Sequence, residues 1–490
     1  MAAAGDGSPR EPELLSTGVP NLDVVLGGGI PRGSVVMVIG APGTGKTMLA
    51  EQTTFHLAAA GASTIYLTGY SEPHDKLLLH TRGLAFFDPE LIGPQIQLIS
   101  LPDLLEQGAT EAEQAIIATA RDRGAALVVL DGFRTMRRYL ADDLLISHFL
   151  YSLGAKLMLR GVTTLVTTEG EPDAPARYPE LTVCDIILGL YRERRSGRHR
   201  RLLDVMKARG AAALDGVHPF SISDQGIAVY PRLESVVPAS RPTPSEGRAT
   251  FGIRDVDRLL GGGLTVGSTT VVAGSPGAGK TLLGLHFVAE GVRREEAALF
   301  VSLRETADQL RELATAFGLD LAAAEREGRV RLLALPDYEL EADRLADLLR
   351  GDVEQRGVRR LIVDSAAELE RGIAPDERKA EFFAALTTYL RGQGVTACLT
   401  LDVPKTVGQD LDLVGTPFSV LAENLVLLRD VEYLGQPHRV VSVLKMRFSA
   451  YDRSIREYEP VPGHGIQVLG VAPATAGQPT GSEQRSLEQR

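Results

Sequence analysis

Gly40-Ala41-Pro42-Gly43-Thr44-Gly45-Lys46-Thr47 satisfies every fixed position of the phosphate-binding pattern G-x-x-x-x-G-K-[ST]. The apolar run Ser34 to Ile39 stands just before it and reads as a buried parallel strand. Met48 to Ala60 follows and reads as a helix, with Leu49, Phe55 and Leu57 among its apolar residues. Strand, glycine loop and helix in that order are the context the motif requires. The glycines let the backbone curl so that its N–H groups face a phosphate chain, and the helix aims its positive end at the same place. Gly40, Gly43, Thr44 and Gly45 therefore form a candidate cradle, Lys46 a cation for the outer phosphates, and Thr47 a Mg²⁺ ligand.

The device occurs twice. Gly274-Ser275-Pro276-Gly277-Ala278-Gly279-Lys280-Thr281 follows the apolar run Ser268 to Ala273. The two lysines stand 234 positions apart (280 − 46). Gly27-Gly28-Gly29 returns as Gly261-Gly262-Gly263, the run ending in Asp131 returns as one ending in Asp364, and Lys207-Ala208-Arg209 returns as Lys445-Met446-Arg447. Landmarks in one order at nearly constant spacing indicate a duplicated domain, and the period is far too long for a solenoid.

Each repeat alternates strand and helix. In the first, Thr64–Thr68, Ile96–Ser100, Ala125–Asp131 and Thr163–Thr168 read as strands, with further β runs at 183–191, 200–207 and 226–231. Residues 73–83, Glu111–Arg123 and 141–160 read as helices. In the second, Thr269–Ala273, Ala298–Leu303, Val330–Ala334, Arg360–Asp364 and Thr396–Leu401 read as core strands. The expected fold class is α/β, with two tandem phosphate-loop NTPase domains, each a mostly parallel sheet flanked by helices. The expected layout is a disordered 1–13, a first domain at 14–233, a linker at 234–248, a second domain at 249–471 and a disordered tail at 472–490. An aspartate ending a strand beside a phosphate loop holds Mg²⁺, usually through water, so Asp131 and Asp364 join Thr47 and Thr281 as candidate metal ligands. The lead-in from Thr17 to Gly33 is expected to cover the nucleotide loop from outside.

The chain has 490 residues, 44% hydrophobic and 23% charged, with a net charge of −11 and two cysteines. The acidic balance argues against a general electrostatic grip on nucleic acid. Arg192 to Arg201 is the one dense basic run and reads as a solvated hairpin. No apolar run reaches the roughly 20 residues of a membrane span, and Met1 to Arg10 lacks a secretory apolar core. The expected compartment is cytoplasmic, with Cys184 and Cys398 as reduced core thiols.

The joint pattern resembles the KaiC-like branch of RecA-type ATPases. Carrying the resemblance are Thr17-Gly18-x-Pro20, Gly27-Gly28-Gly29 with Pro31-Arg32-Gly33, both octets, Lys207-x-Arg209-Gly210, Lys445-Met446-Arg447, Ala176-Arg177-Tyr178, and Pro219 to Ile227. It covers about residues 14–470. The resemblance implies two stacked RecA-like rings, usually hexameric, with Mg-ATP bound between neighbouring subunits. It also implies that Lys207, Arg209, Lys445 and Arg447 reach the γ-phosphate of the adjacent subunit's ATP. Phosphoryl transfer is mostly electrostatics, so a cation delivered in trans would stabilise the charge that develops. By spacing alone these are also edge-strand cations facing water.

The departures from the family pattern are as informative. Two adjacent glutamates are expected after the second strand, one of them a general base. The first repeat has Tyr70-Ser71 there, followed by Glu72 as a candidate substitute base one residue along, and the second has Arg304-Glu305. The first domain is therefore expected to bind ATP with little turnover, and the second to hydrolyse slowly through Glu305. A neighbouring Ser-Thr pair, phosphorylated by the family's clock protein on itself, is here Ser419-Val420, leaving Ser419 as a candidate phosphosite or an ordinary turn residue. The leading reading is a regulatory ATPase whose nucleotide state controls ring assembly and binding of a regulatory protein partner. A DNA-dependent recombination or helicase-type motor and a non-hydrolysing nucleotide-sensing scaffold share the same core.

Overall fold

The computed structural model describes residues 13–69, 74–140, 142–195, 197–237, 247–335, 340–403, 422–433, 436–447 and 449–472. The ends expected to be disordered fall almost wholly outside these residues. The chain divides into two units, Met1–Val236 and Val237–Arg490.

In the first unit, β1 (Leu14–Leu15) and β2 (Ile30–Pro31) form a small antiparallel ribbon. The main strands follow: β3 (Val35–Gly40), β4 (Ser63–Thr68), β5 (Ile96–Ser100), β6 (Ala125–Asp131), β7 (Thr163–Glu169), β8 (Ile186–Arg195), β9 (Arg198–Ala208), β10 (Val217–Ser223) and β11 (Gly226–Val229). They make one nine-stranded sheet in the order β11-β10-β9-β8-β3-β7-β6-β4-β5. The ladders from β5 to β8 are parallel, and β9, β10 and β11 are added antiparallel.

The second unit repeats this plan. A ribbon of β12 (Arg248–Ala249) and β13 (Leu264–Thr265) precedes β14 (Thr269–Gly274), β15 (Ala298–Ser302), β16 (Val330–Ala334), β17 (Arg360–Asp364), β18 (Thr396–Asp402), β19 (Asn424–Tyr433), β20 (Gln436–Met446), β21 (Arg456–Val461) and β22 (Gly465–Val471). Its sheet runs β16-β15-β17-β18-β14-β19-β20-β21-β22. The α/β class with two mostly parallel, helix-flanked sheets is as expected.

β3 is apolar from Val35 to Ile39 because both of its faces are covered. On β3, Val36 and Val38 enter one core cluster with Leu49 and Phe55 of the following helix. Val35, Met37 and Ile39 enter the opposite cluster with Phe149 and Leu153. This is the period of two of a strand, written in residues that are all hydrophobic.

The outer antiparallel strands were not all legible. No strand was assigned at 217–223, nor beyond Leu401 in the second repeat. Pro219 and Pro460 sit within β10 and β21, and such strands alternate burial weakly. The segment expected as a linker begins with a short helix, Leu233–Val236, whose Leu233 is buried. Ala472, at the start of the expected tail, packs with Val431 and Val440.

The lead-in does not cover the loop itself. Asp23 turns it by accepting from the Thr17 amide (2.9 Å) and hydroxyl (2.6 Å). Gly18 then lies on the helix behind the loop: its carbonyl accepts from Gln52, and a Cβ there would strike His56. Covering of the loop falls instead to the last hairpin. Ile222, Ile227 and Phe220 crowd the place a Cβ on Gly45 would take.

Candidate phosphate-loop sites and their flanking charges

Parallel register fixes where the site must be. Gly40 lies level with Glu169 of β7, and Thr68 level with Asp131 of β6. In the second unit Gly274 lies level with Asp402, and Ser302 with Asp364. The glycine loop and the strand-end carboxylates therefore gather at one edge, outside the carboxyl ends of the strands, where open α/β sheets bind ligands.

Each loop has the backbone its glycines were expected to permit. Gly43 and Gly277 adopt φ +75 and +83, and a Cβ on either would meet nothing within 4 Å. Gly45 and Gly279 are also left-handed and open helices Lys46–Ala59 and Lys280–Arg293. Loop carbonyls accept from within the loop: Thr44 Oγ1 donates to Ala41 O, and the Ala278 amide to Ser275 O. A helix start behind left-handed glycines with open space beside Gly43 and Gly277 fits a phosphate chain.

The expected metal ligands meet. Thr47 Oγ1 donates to Asp131 at 3.2 Å, and Thr281 Oγ1 to Asp364 at 2.7 Å. Two threonines not singled out in the sequence steady these carboxylates from the next strand: Thr167 donates to Asp131 and Thr400 to Asp364. Each is the fifth residue of its strand and belongs to no motif, so it gives no signal without the register. Among the described residues no three His, Cys, Asp or Glu side chains form a metal cluster. A threonine–aspartate pair suits Mg²⁺, which keeps waters and takes its other ligands from phosphate oxygens.

The two lysines differ. Lys46 Nζ donates to Ala41 O at 3.0 Å, and burial lowers its pKa against the opposing pull of Glu169 and Asp131. Lys280 Nζ donates to Gly274 O and Ser275 O and makes an ion pair of 2.7 Å with Asp402 Oδ1. Asp402 Oδ2 is held by Arg304, whose Nε also donates to the buried Glu368 at 2.8 Å. Burial would raise the carboxyls of Asp402 and Glu368, but their hydrogen bonds hold both below the ordinary range. The counterpart of Asp402, Glu169, instead lies 3.6 Å from Arg134. Neither Asp402 nor Glu368 was expected, because strand-end and helix carboxylates are too common in sequence to stand out.

Glu305 folds back on its own strand end, accepting from Ser302 Oγ at 3.1 Å. Glu72 and Ser419 lie outside the described residues.

Lys207, Arg209, Lys445 and Arg447 are not at these sites. Lys207 lies opposite Ile187, three strand residues, or about 10 Å, before the level of Gly40. The units repeat the arrangement: Lys207 Nζ donates to Thr182 O and Lys445 Nζ to Ala422 O, while the Arg209 and Arg447 amides donate to Asp185 O and Glu423 O. Gly27 and Gly261 pack beneath the turns that follow, where a Cβ would strike the carbonyls of Ala212 and Ala450.

A family model described as the ATPase KaiC matches residues 15–234 and 249–472, the two repeats in turn. The chain belongs to the KaiC ATPase family. Among curated KaiC proteins, the Circadian clock protein KaiC3 of Synechocystis is 27% identical over 97% of this chain and 96% of its own length. The Circadian clock oscillator protein KaiC of Rippkaea orientalis is 29% identical over 91% and 86%. That of Picosynechococcus is 28% identical over 93% and 90%.

Other marked features are structural. Cys184 and Cys398 are free and buried; burial pushes the first thiol up to about 12 and raises the second. The basic run forms the β8–β9 hairpin, with Arg192 opposite Arg201. No helix among the described residues is long and apolar enough to cross a membrane.

Proposed function

We propose that this KaiC-family chain is a regulatory ATPase, with domains at 14–233 and 249–471, that binds Mg-ATP at both phosphate loops. The observation that carries this reading is the pair of Thr–Asp contacts, Thr47 to Asp131 and Thr281 to Asp364, each set against an open glycine loop. The bound metal would neutralise phosphate charge. The loop amides and Lys46 or Lys280 would orient the phosphate chain, and the helix start would hold it.

Turnover is assigned to the second domain, slow and through Glu305, because one carboxylate stands where the family pattern has two. The placement of Lys207, Arg209, Lys445 and Arg447 supports self-association. With Lys207 about 10 Å short of the level of its own loop, and Lys445 placed alike, they would serve a nucleotide on another subunit, in a ring of the family's usual hexameric kind. Nucleotide state would then govern ring assembly and, through it, docking of a regulatory protein. Ser419 is carried as the candidate site of self-phosphorylation. A cytoplasmic location fits this role.

The DNA-motor reading has less support. The arginines after Asp131 are not a free basic loop: Arg134 pairs with Glu169, and Arg137 with Asp143 and Glu180. Arg177 pairs with Glu171.

Native mass spectrometry with magnesium and ATP or ADP tests the proposal. Rings carrying two nucleotides per subunit are expected. A lone subunit without adenine nucleotide at saturating Mg-ATP would end it.

A further inference from the structure

In a phosphate loop the lysine belongs to the β- and γ-phosphates of the ligand. In the second unit that place at Lys280 Nζ is already taken by a carboxylate oxygen, Asp402 Oδ1 at 2.7 Å. Asp402 spends its other oxygen on Arg304, which is anchored in turn by Glu368, a buried side chain further held by Ser365 and Arg371. Lysine, aspartate, arginine and glutamate thus form one chain of alternating charge running from the phosphate loop into the core.

Among the described residues the first unit shows no such chain. Glu169 stands level with the loop, as Asp402 does, but pairs with Arg134, and Lys46 turns to a backbone carbonyl. The residue aligned with Arg304 there is Tyr70, which carries no positive charge.

We propose that Asp402 is an anionic plug at the γ-phosphate end of the second site, and that Arg304 is the positioning residue that neutralises and withdraws it. Together they set that site's preference between nucleoside diphosphate and triphosphate. The inference rests on the reading that this site binds adenine nucleotide. A diphosphate needs only part of the lysine's reach. A triphosphate must bring its terminal, most negative group against Asp402, and like charges a few ångströms apart in a half-buried site repel strongly. With Arg304 in place, Asp402 has a second cation to turn to when Lys280 is claimed. Arg304 can do this because its planar fork holds two carboxylates at once, which a lysine cannot.

The two residues therefore act in opposite directions. In the full-length chain carrying Lys46→Ala, to weaken the first site, calorimetric titration with magnesium and either ADP or the non-hydrolysable imido analogue of ATP reads the affinity ratio directly. Asp402→Asn is expected to shift that ratio about tenfold towards the triphosphate. Arg304→Ala is expected to shift it the other way, and Arg304→Lys to fall between Arg304→Ala and the parent. A merely structural role would weaken both ligands equally and leave the ratio alone, so an unchanged ratio with both ligands still binding overturns the plug while leaving nucleotide binding intact. Failure of both ligands to bind the Lys46→Ala parent overturns the nucleotide reading of this site, and the plug with it.

Discussion

The two units share a strand order, a glycine loop and a Thr–Asp pair, yet they surround their lysines differently. Around Lys46 the opposing charges, Glu169 and Asp131, act at a distance and burial dominates. Around Lys280 a carboxylate is in direct contact and is itself held by Arg304. Duplication kept what the backbone requires and released what lies one side chain away. Of the retained features, the glycines at positive φ cannot be varied without straining the chain, and each strand-end aspartate is held by two threonine hydroxyls. The divergent ones are long side chains at strand ends, where substitution leaves the fold alone and alters only charge. The two sites are therefore expected to differ in chemistry while remaining alike in shape.

The widest separation between the sites should come from deleting the lysines. Lys46→Ala and Lys280→Ala should each remove one of two bound nucleotides, with affinity at the altered site falling on the order of a hundredfold, the loss expected for a charged hydrogen-bonding partner of phosphate. Nucleotide counts by native mass spectrometry read this. If either change abolished both, the sites would be coupled rather than merely different.

Next in size is the catalytic asymmetry. Glu305→Gln removes a proton acceptor without changing shape and should lower phosphate release about a hundredfold. Lys46→Ala should leave most of the release in place. If Lys46→Ala silenced release and Glu305→Gln spared it, turnover would belong to the first unit. Lys445→Ala should lower release with no effect on the isolated unit's nucleotide affinity, since Lys445 lies opposite Leu425, three strand residues before the level of Gly274, and its Nζ donates to Ala422 O there.

How much of this could be read from the sequence follows the same division. The octets, Asp131 and Asp364 and the parallel core strands were legible because each is a local pattern at fixed spacing repeated twice. Glu368, Asp402, Thr167 and Thr400 were not, because their meaning comes from register: only pairing β18 beside β14 brings Asp402 level with Gly274. The role of the lead-in was misjudged for a related reason. Sequence adjacency put it before the loop, whereas packing laid it on the helix and left the loop to a hairpin 180 residues away: Tyr458 donates to Ala278 O. Arg304 was noticed as a departure, but its ion pairs depend on three segments distant in the chain.

A smaller contrast sits behind the loops, at the position shared by Gln52 and His286. Gln52 Oε1 accepts from the Ile227 amide at 2.7 Å, tying the last hairpin to the phosphate-loop helix. His286 Nε2 accepts from the Ile466 amide at 3.0 Å and does the same in the second unit. An acceptor nitrogen must be unprotonated, and burial, helped by the nearby Arg293, lowers this histidine to about 4. Between about pH 6.5 and 4 the unfolded chain would take up a proton here that the folded unit refuses. The associated stability is therefore fully present above pH 6.5 and is lost as pH falls towards 4, by at most on the order of 3 kcal/mol. Gln52 has no such titration. His286→Gln should keep the bond to Ile466 and flatten the pH dependence of the second unit's calorimetric transition over that window, while the first unit's slope stays as it was. Equal slopes in the parent and the variant would mean that the hairpin tie tolerates protonation, and that the two units differ less at this point than their side chains suggest.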